Sequence, residues 1–479
     1  MNVLIRAILL LLVSAGINAE TTIMPSVQPL FQIDTIGNAF IRLHVPNSCI
    51  SEPDDSFQVM HTFPLFIPGG YMNNPSMWIV GTPLVDGSSL CEDPCIYVMD
   101  DSLNFTENLY DLNVWHELVD TSGAEIHNPL CSASFFDDPE GHSYSWATSA
   151  YGTYMSDPVL LLDKDNSPVM ITRITRNVVY TSGFERSSLS IHSIYAHKFN
   201  GSNWDDTTLL IDGYVNNGSD IYPEHGSMLL MAPSIFIDND KYIIIVNEDT
   251  SANRTALAVW EGSTLDSAFH TVNTLGNTIL EGSSLDDNHY SIGILNWTLP
   301  GNNYHRHTQI SKLSDSLYVG FATPMLDKDT CWFGYSYDFE NWYNLNEPLL
   351  TGSGWLDQWI YTVHPLIEEK ANYWQLHLLI SGRGKNINQG DSIGWYTSNV
   401  DMKVIKDAAL LLPGDVNLDD DINVADLVYM VNYIFKGGAT IFPEYIGDVD
   451  HTCDINVADL VYMVNYLFKG GPDPLIGCE

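Results

Sequence analysis

The sequence predicts an all-β chain folded as a five-bladed β-propeller, followed by a small α-helical module. Three observations predict this. Between about residues 25 and 400, short apolar and aromatic runs such as Tyr242–Val246, Leu317–Phe321 and Trp374–Ile380 alternate with Gly, Asn, Asp and Ser turns. No long helical period interrupts them, which is the pattern of short strands. Five polar or proline-containing strand openings recur through the same region, around His61, Asp157, Ser234, His307 and Tyr361, at intervals of 96, 77, 73 and 54 residues. Finally, residues 422–438 and 455–471 are the same segment written twice, differing only at Ile434 and Leu467.

The first element is a leader. Met1 to Arg6 carries one positive charge, Ala7 to Val13 is almost wholly apolar, and small residues lead to Asn18-Ala19. This order is that of a secretory signal peptide, too short to remain as a membrane span. Cleavage is expected after Ala19, with Ala15 the alternative, so residues 1–19 are assigned to the signal. The mature chain is then expected outside the cell, with no transmembrane segment.

Residues 25–400 form the large domain. Each strand opening leads into an aromatic-rich strand and then a third strand, as at Leu257-Ala-Val-Trp260, and five such units suit radial repetition that leaves no long free edge. A pair of β-sandwiches could use the same number of strands. Within these units, Tyr335-Ser-Tyr-Asp-Phe-Glu-Asn-Trp342, with Pro348-Leu-Leu350 and Gly354-Trp355, resembles the blade signature of five-bladed propeller glycoside hydrolases of families 43 and 32. Glu92-Asp93-Pro94, Ser156-Asp157-Pro158 and Ser381-Gly-Arg383 ahead of Ile393–Ser398 are similar to the same group. The resemblance implies carbohydrate binding or cleavage of glycosidic bonds.

Glycosidic cleavage needs two carboxylates flanking the bond, one protonated and one ionised. The resemblance assigns Asp157 to the Asp-Pro element that orients substrate or stabilises the transition state, and brings Glu92 or Asp93 towards the cavity from a first-blade turn. The other strand openings supply His61, Ser234, His307 and Tyr361 rather than acids. His61, Arg173, His307 and Tyr361 are therefore read as substrate-binding candidates. A general acid would have to come from Glu224, Glu248 or Glu281, and nothing in the sequence selects among them. For Asp157 the bland alternative is a turn-forming residue before proline; for the histidines it is a satisfied structural role.

Residues 401–413 read as a linker. The duplicated module, 414–471, opens with Asp415, Asn417, Asp419, Asp421, Asn423 and Asp426, and its second copy with Asp448, Asp450, Thr452, Asp454, Asn456 and Asp459. Oxygen side chains at loop positions 1, 3, 5, 9 and 12, with a backbone carbonyl at 7, are the spacing that wraps a calcium ion. Thr452 is a neutral ligand at best, so the second site is expected to bind more weakly. One amphipathic helix follows each loop, with Val424, Leu427, Val428, Val431 and Phe435 at helical spacing and Gly437-Gly438 as the stop. A single helix per loop, repeated twice, resembles the dockerin family, which implies two calcium ions and a cohesin-type partner on a scaffold or cell surface. Positions 10 and 11 of the loops, which help select the partner in that family, are Val424-Ala425 and Val457-Ala458.

The net charge is −41, of which the segment 414–479, with twelve Asp/Glu against two Lys, carries only −10. A surface this acidic repels nucleic acid and anionic lipid. Seven cysteines leave at least one unpaired in an oxidising compartment. Cys453–Cys478 is the favoured pair because it would tie the C-terminal tail, 472–479, onto the second calcium loop. Pairing among Cys49, Cys91, Cys95, Cys131 and Cys331 stays open, and no cluster has zinc-finger spacing.

Overall fold

Five antiparallel sheets radiate from one axis in the computed structural model. It describes residues 31–33, 58–84, 94–101, 114–126, 153–182, 185–204, 206–211, 229–250, 254–271, 293–295, 297–302, 304–345, 347–352, 359–385, 393–406, 411–419, 421–438, 441 and 444–478. The signal segment, Glu92, Asp93, Cys49, Cys91, Cys131, Glu224 and Glu281 lie outside the described residues.

Strand β1 (Phe31–Ile33) precedes the first blade, which is β2 (Gln58–Phe66), β3 (Met77–Leu84), β4 (Cys95–Met99) and β5 (Trp115–Glu117). The second blade is β6 (Thr153–Leu162), β7 (Pro168–Ser182), β8 (Glu185–Lys198) and β9 (Asp206–Ile211). The third is β10 (Leu229–Asp238), β11 (Lys241–Thr250) and β12 (Arg254–Gly262), edged by β13 (His270–Thr271) and β14 (Gly293–Ile294). The fourth is β15 (His305–Ser314), β16 (Leu317–Pro324) and β17 (Thr330–Ser336), edged by β18 (Tyr343–Asn344) and β19 (Leu350–Thr351). The fifth is β20 (Trp359–Glu369), β21 (Tyr373–Lys385) and β22 (Ile393–Ile405), and β1 completes it by pairing Phe31 with Val404 and Ile33 with Met402. An N-terminal strand closing the last blade covers an edge that would otherwise be free to pair with another chain.

The strands are apolar on both faces because each sheet is packed between two others. All eight residues of β16 are buried. Its Val319 and Phe321 join Ile360, Leu376 and Ile380 of the fifth blade, while Tyr318 and Ala322 join Ile243, Ile245 and Val259 of the third. Trp297 stacks on Trp342 with ring centroids 4.8 Å apart, lying so close to Gly320 and Gly334 that a Cβ at either position would come within 2.5 Å of the indole. Only glycine fits there.

The inner strands share one distortion. Pairing slips between Met60 and Phe63 in β2, Ser156 and Val159 in β6, Met231 and Ser234 in β10, His305 and His307 in β15, and Ile360 and Thr362 in β20. These β-bulges fall at or beside the five strand openings marked in the sequence. His61, Asp157 and Ala232 occupy them with φ of 51°, 52° and 47°. A bulge re-aims a side chain that an unbroken ladder would send into a blade, and here it turns His61 and Asp157 towards the axis.

The boundary placed at residue 400 falls inside β22, which runs to Ile405. Ile405 and Leu411, within the 401–413 segment expected as a linker, pack into the core of the C-terminal module. The module has two helices, α1 (Val424–Lys436) and α2 (Val457–Lys469). Each starts on a capping box, Asn423 with Asp426 and Asn456 with Asp459, and each stops at a glycine in the left-handed region, Gly437 or Gly470,. The tail also belongs to the module: Leu475 and Gly477 donate backbone N–H groups to the carbonyls of Val449 and Tyr445.

Candidate functional site

The axial cavity is built from the inner strands and measures about 290 Å³ counting its open mouth. His61, Asp157, Ala232, His307, Gln309, Thr362 and His364 are among its lining residues. Asp157 sits at its centre. Its Oδ1 lies 2.9 Å from His61 Nδ1 and 3.9 Å from His307 Nε2, and its Oδ2 lies 2.8 Å from Arg173 Nε. The backbone N–H of Ala232, on the third blade's bulge, donates to Oδ2 at 3.2 Å. Four blades' worth of sequence thus converge on one carboxylate and its partners.

Burial by itself raises the Asp157 carboxyl, but Arg173 and then His61 reverse this and hold it well below the usual carboxylate range,. Burial pushes His307 well below the ordinary imidazole range, and lowers His364 to about 4 although it hydrogen-bonds the Thr62 carbonyl at 2.6 Å. Tyr361 packs its ring against both imidazoles, 5.1 Å from His61 and 4.2 Å from His307. Arg306, the fourth blade's bulge residue, lies over the rings of Trp359 and Tyr361 at 4.0 Å and 5.1 Å.

The structure thus brings together His61, Asp157, His307 and Tyr361. Arg173 has a different place from that expected. It is a buried partner of Asp157, bonded also to Ser156 and His192, and does not line the cavity. Ser156 and Arg173 are cross-strand neighbours on β6 and β7, a relationship that only the strand register reveals. Asp157 is the one carboxylate among the described lining residues. The expected partners Glu92 and Asp93 lie outside the described residues, as does the side chain of Glu248. His364, Gln309 and Thr362 also line the site; Gln309 and Thr362 sit within two of the strand openings, but nothing in their sequence context marks them as lining residues.

In the C-terminal module, carboxylates of Asp415, Asp419 and Asp426 converge in the first loop and those of Asp448, Asp450 and Asp459 in the second. Asp426 accepts from the backbone N–H groups of Val416 at 2.9 Å and Asn423 at 2.8 Å, closing the first loop onto its helix. Asp459 does the same from Asp450 and Asn456. Burial, with neighbouring carboxylates, raises both Asp426 and Asp459. Acids gathered this way suit the hard cation that the ligand spacing implies. Asn417, Asp421, Asn423, Thr452, Asp454 and Asn456 lie in the same two loops, and the Thr452 hydroxyl donates to Asp450 at 2.6 Å. Cys453 and Cys478 form a disulfide with Cα atoms 5.0 Å apart, and the Cys478 N–H donates to Asp448 Oδ2 at 3.0 Å. Cys95 and Cys331 are both buried in their strands.

The helical face read from periodicity divides in two. Leu427 and Met430 point into the module core, whereas Val424, Val428 and Phe435 are 52%, 55% and 60% exposed. The second copy repeats this with Val457, Val461 and Phe468. Val424, Val428 and Phe435 lie one or two turns apart on one side of α1, so they form a stripe.

No family model and no curated protein matches the sequence. Among solved structures the chain is similar to an N-acetylgalactosamine deacetylase from F. plautii in complex with blood group B trisaccharide, at 14% identity over 76% of this chain and 94% of that chain, with a TM-score of 0.49. It is also similar to a protein of unknown function from Dyadobacter fermentans, at 8% identity over 79% and 100% of the two chains, with a TM-score of 0.42. A third, described as a glycoside hydrolase, shares 11% identity over 76% and 91%, with a TM-score of 0.41. Likenesses at these scores carry no argument about function, which rests on the geometry of this chain.

Proposed function

We propose that this chain is an exported, dockerin-type protein whose paired calcium loops dock it to a cohesin-type receptor, and whose propeller binds carbohydrate at the mouth of its axial cavity. The observation that carries the reading is the duplication. Two loops gather three carboxylates each, and each is followed by a helix presenting the same exposed apolar stripe, Val424/Val428/Phe435 and Val457/Val461/Phe468. An exposed apolar stripe on a small folded unit suits a partner surface. Asp415, Asn417, Asp419, Asp421, Asn423 and Asp426 would hold one calcium ion, and Asp448, Asp450, Thr452, Asp454, Asn456 and Asp459 the second. The ions would supply folding free energy to the module.

Carbohydrate binding is supported by the family resemblance of residues 60–400 and by a cavity whose polar lining is His, Asp, Gln and Thr side chains. With Asp157 committed to Arg173 and the sole carboxylate among the described lining residues, the cavity favours binding over two-carboxylate cleavage,. The test is calcium-dependent capture of the full chain by immobilised cohesin-type modules, together with a polysaccharide panel scored for both retention and released sugar. Capture that survives chelation would overturn the docking half; sugar released by the wild type would overturn the binding-only half.

A further inference from the structure

The geometry points to a metal site at the propeller axis: we propose that His61, Asp157 and His307 bind a first-row divalent transition cation such as zinc. The three side chains come from three different blades, are all buried, and bring His61 Nδ1, Asp157 Oδ1 and a ring nitrogen of His307 within 4.8 Å of one another. Ligand atoms bonded to zinc at about 2.0–2.1 Å in a tetrahedral shell lie about 3.3 Å apart. The observed separations of 2.9 Å and 3.9 Å straddle that value. Two imidazoles and one carboxylate suit zinc, iron or manganese and not calcium, which takes oxygen ligands.

Buried polar atoms of this network are left short of partners among the described residues. Asp157 Oδ1 lies 2.9 Å from His61 Nδ1 but is poorly aligned for a hydrogen bond with it and has no other partner there; His307 Nδ1 and Thr362 Oγ1, of residues lining the same cavity, lack one too. Orphaned atoms of this kind call for an unseen ligand, because leaving each unbonded costs about 1–3 kcal/mol. The enclosed space of the cavity is of water size, enough for an ion but not for a sugar ring. Two further features belong to a built metal centre. Arg173 and the Ala232 N–H hold the far oxygen of Asp157, orienting the other towards the imidazoles,. His61 and Asp157 are also both kept at φ near +50° by their bulges, a conformation that non-glycine residues adopt at some cost and that clusters at functional sites.

This site does not depend on the carbohydrate reading, and its test reads metal alone. Tag-free full-length protein, held in excess calcium to fill the C-terminal loops, is dialysed against micromolar free zinc and its metal content measured by mass spectrometry. One zinc per chain is expected, with a rise in melting temperature. His61→Gln and His307→Gln should each weaken zinc binding by at least about 100-fold, more than is typical for loss of an outer-shell partner. Unchanged far-UV circular dichroism without zinc confirms that each variant folds. If His61→Gln does not fold, His307→Gln decides, since His307 stands 3.9 Å from Asp157 and is not its hydrogen-bond partner. No zinc above background in the wild type, or zinc retained in the folded variants, overturns the proposal.

Discussion

His61 Nδ1 and Asp157 Oδ1 lie 2.9 Å apart although 96 residues separate them in sequence. Each stands on the bulge of an inner strand, one in the first blade and one in the second. The same bulges that open two strands therefore assemble the centre of the cavity.

Asp157 also neutralises Arg173, and both are buried. Asp157→Ala should cost about 3–5 kcal/mol in chemical denaturation, because it leaves a guanidinium without its counter-charge. Arg173→Met, which removes the opposite member, should also destabilise. A loss below about 1 kcal/mol for Asp157→Ala would show that Arg173 finds another partner.

How much of this was legible varied with the physics behind each feature. The strand openings at His61, Asp157, Ala232, His307 and Tyr361 could be read because a bulge wants residues that break an alternating apolar pattern, although in the fourth blade the slip centres on Arg306. The Arg173–Asp157 pair could not, since it depends on cross-strand register. Strand β1 was missed because three residues carry no periodicity of their own. Periodicity found α1 but merged its core residue Leu427 with the exposed Val424, Val428 and Phe435, and passed over the buried Met430. An apolar residue that packs inward and one that meets a partner look alike in sequence.

His197 is buried and bonded to the Thr172 hydroxyl at 2.7 Å, and burial lowers its pKa to about 3 from 6.5. Since the folded value is the lower one, its contribution to stability is complete above pH 6.5 and is lost as pH falls towards 3. The loss is about 1.4 kcal/mol per pH unit. The expected outcome is that His197→Gln flattens the stability profile of the calcium-loaded chain between pH 6 and 4. Parallel profiles for wild type and variant would contradict it.

The Cys453–Cys478 bond closes a loop of 25 residues and holds the Cys478 N–H on Asp448. Reduction, or Cys478→Ser, should lower module stability by about 3 kcal/mol in the chain-entropy account. It should also weaken calcium at the second loop while leaving the first unchanged. Equal weakening at both loops would mean that the tail does not act through Asp448.

The two helices differ at one position, and Ala425 and Ala458 are both exposed beside their apolar stripes. Docking should therefore proceed through either copy. Ala425→Asp and Ala458→Asp should each weaken binding to the cohesin-type partner only slightly, and together abolish it. Burial of the stripe should contribute roughly 25 cal/mol per Å², so binding should depend little on salt. Complete loss from either single change would exclude two equivalent faces.

Calcium stoichiometry tests the role proposed for the C-terminal module most directly. Titration of the metal-free full chain by calorimetry should give two calcium ions per chain, the second bound more weakly because Thr452 replaces an acid. Asp415→Ala and Asp448→Ala should each remove one ion, and Thr452→Ala should cost less than Asp415→Ala. Absence of calcium binding, or a stoichiometry of two unaltered by both aspartate changes, would contradict the calcium-loop account.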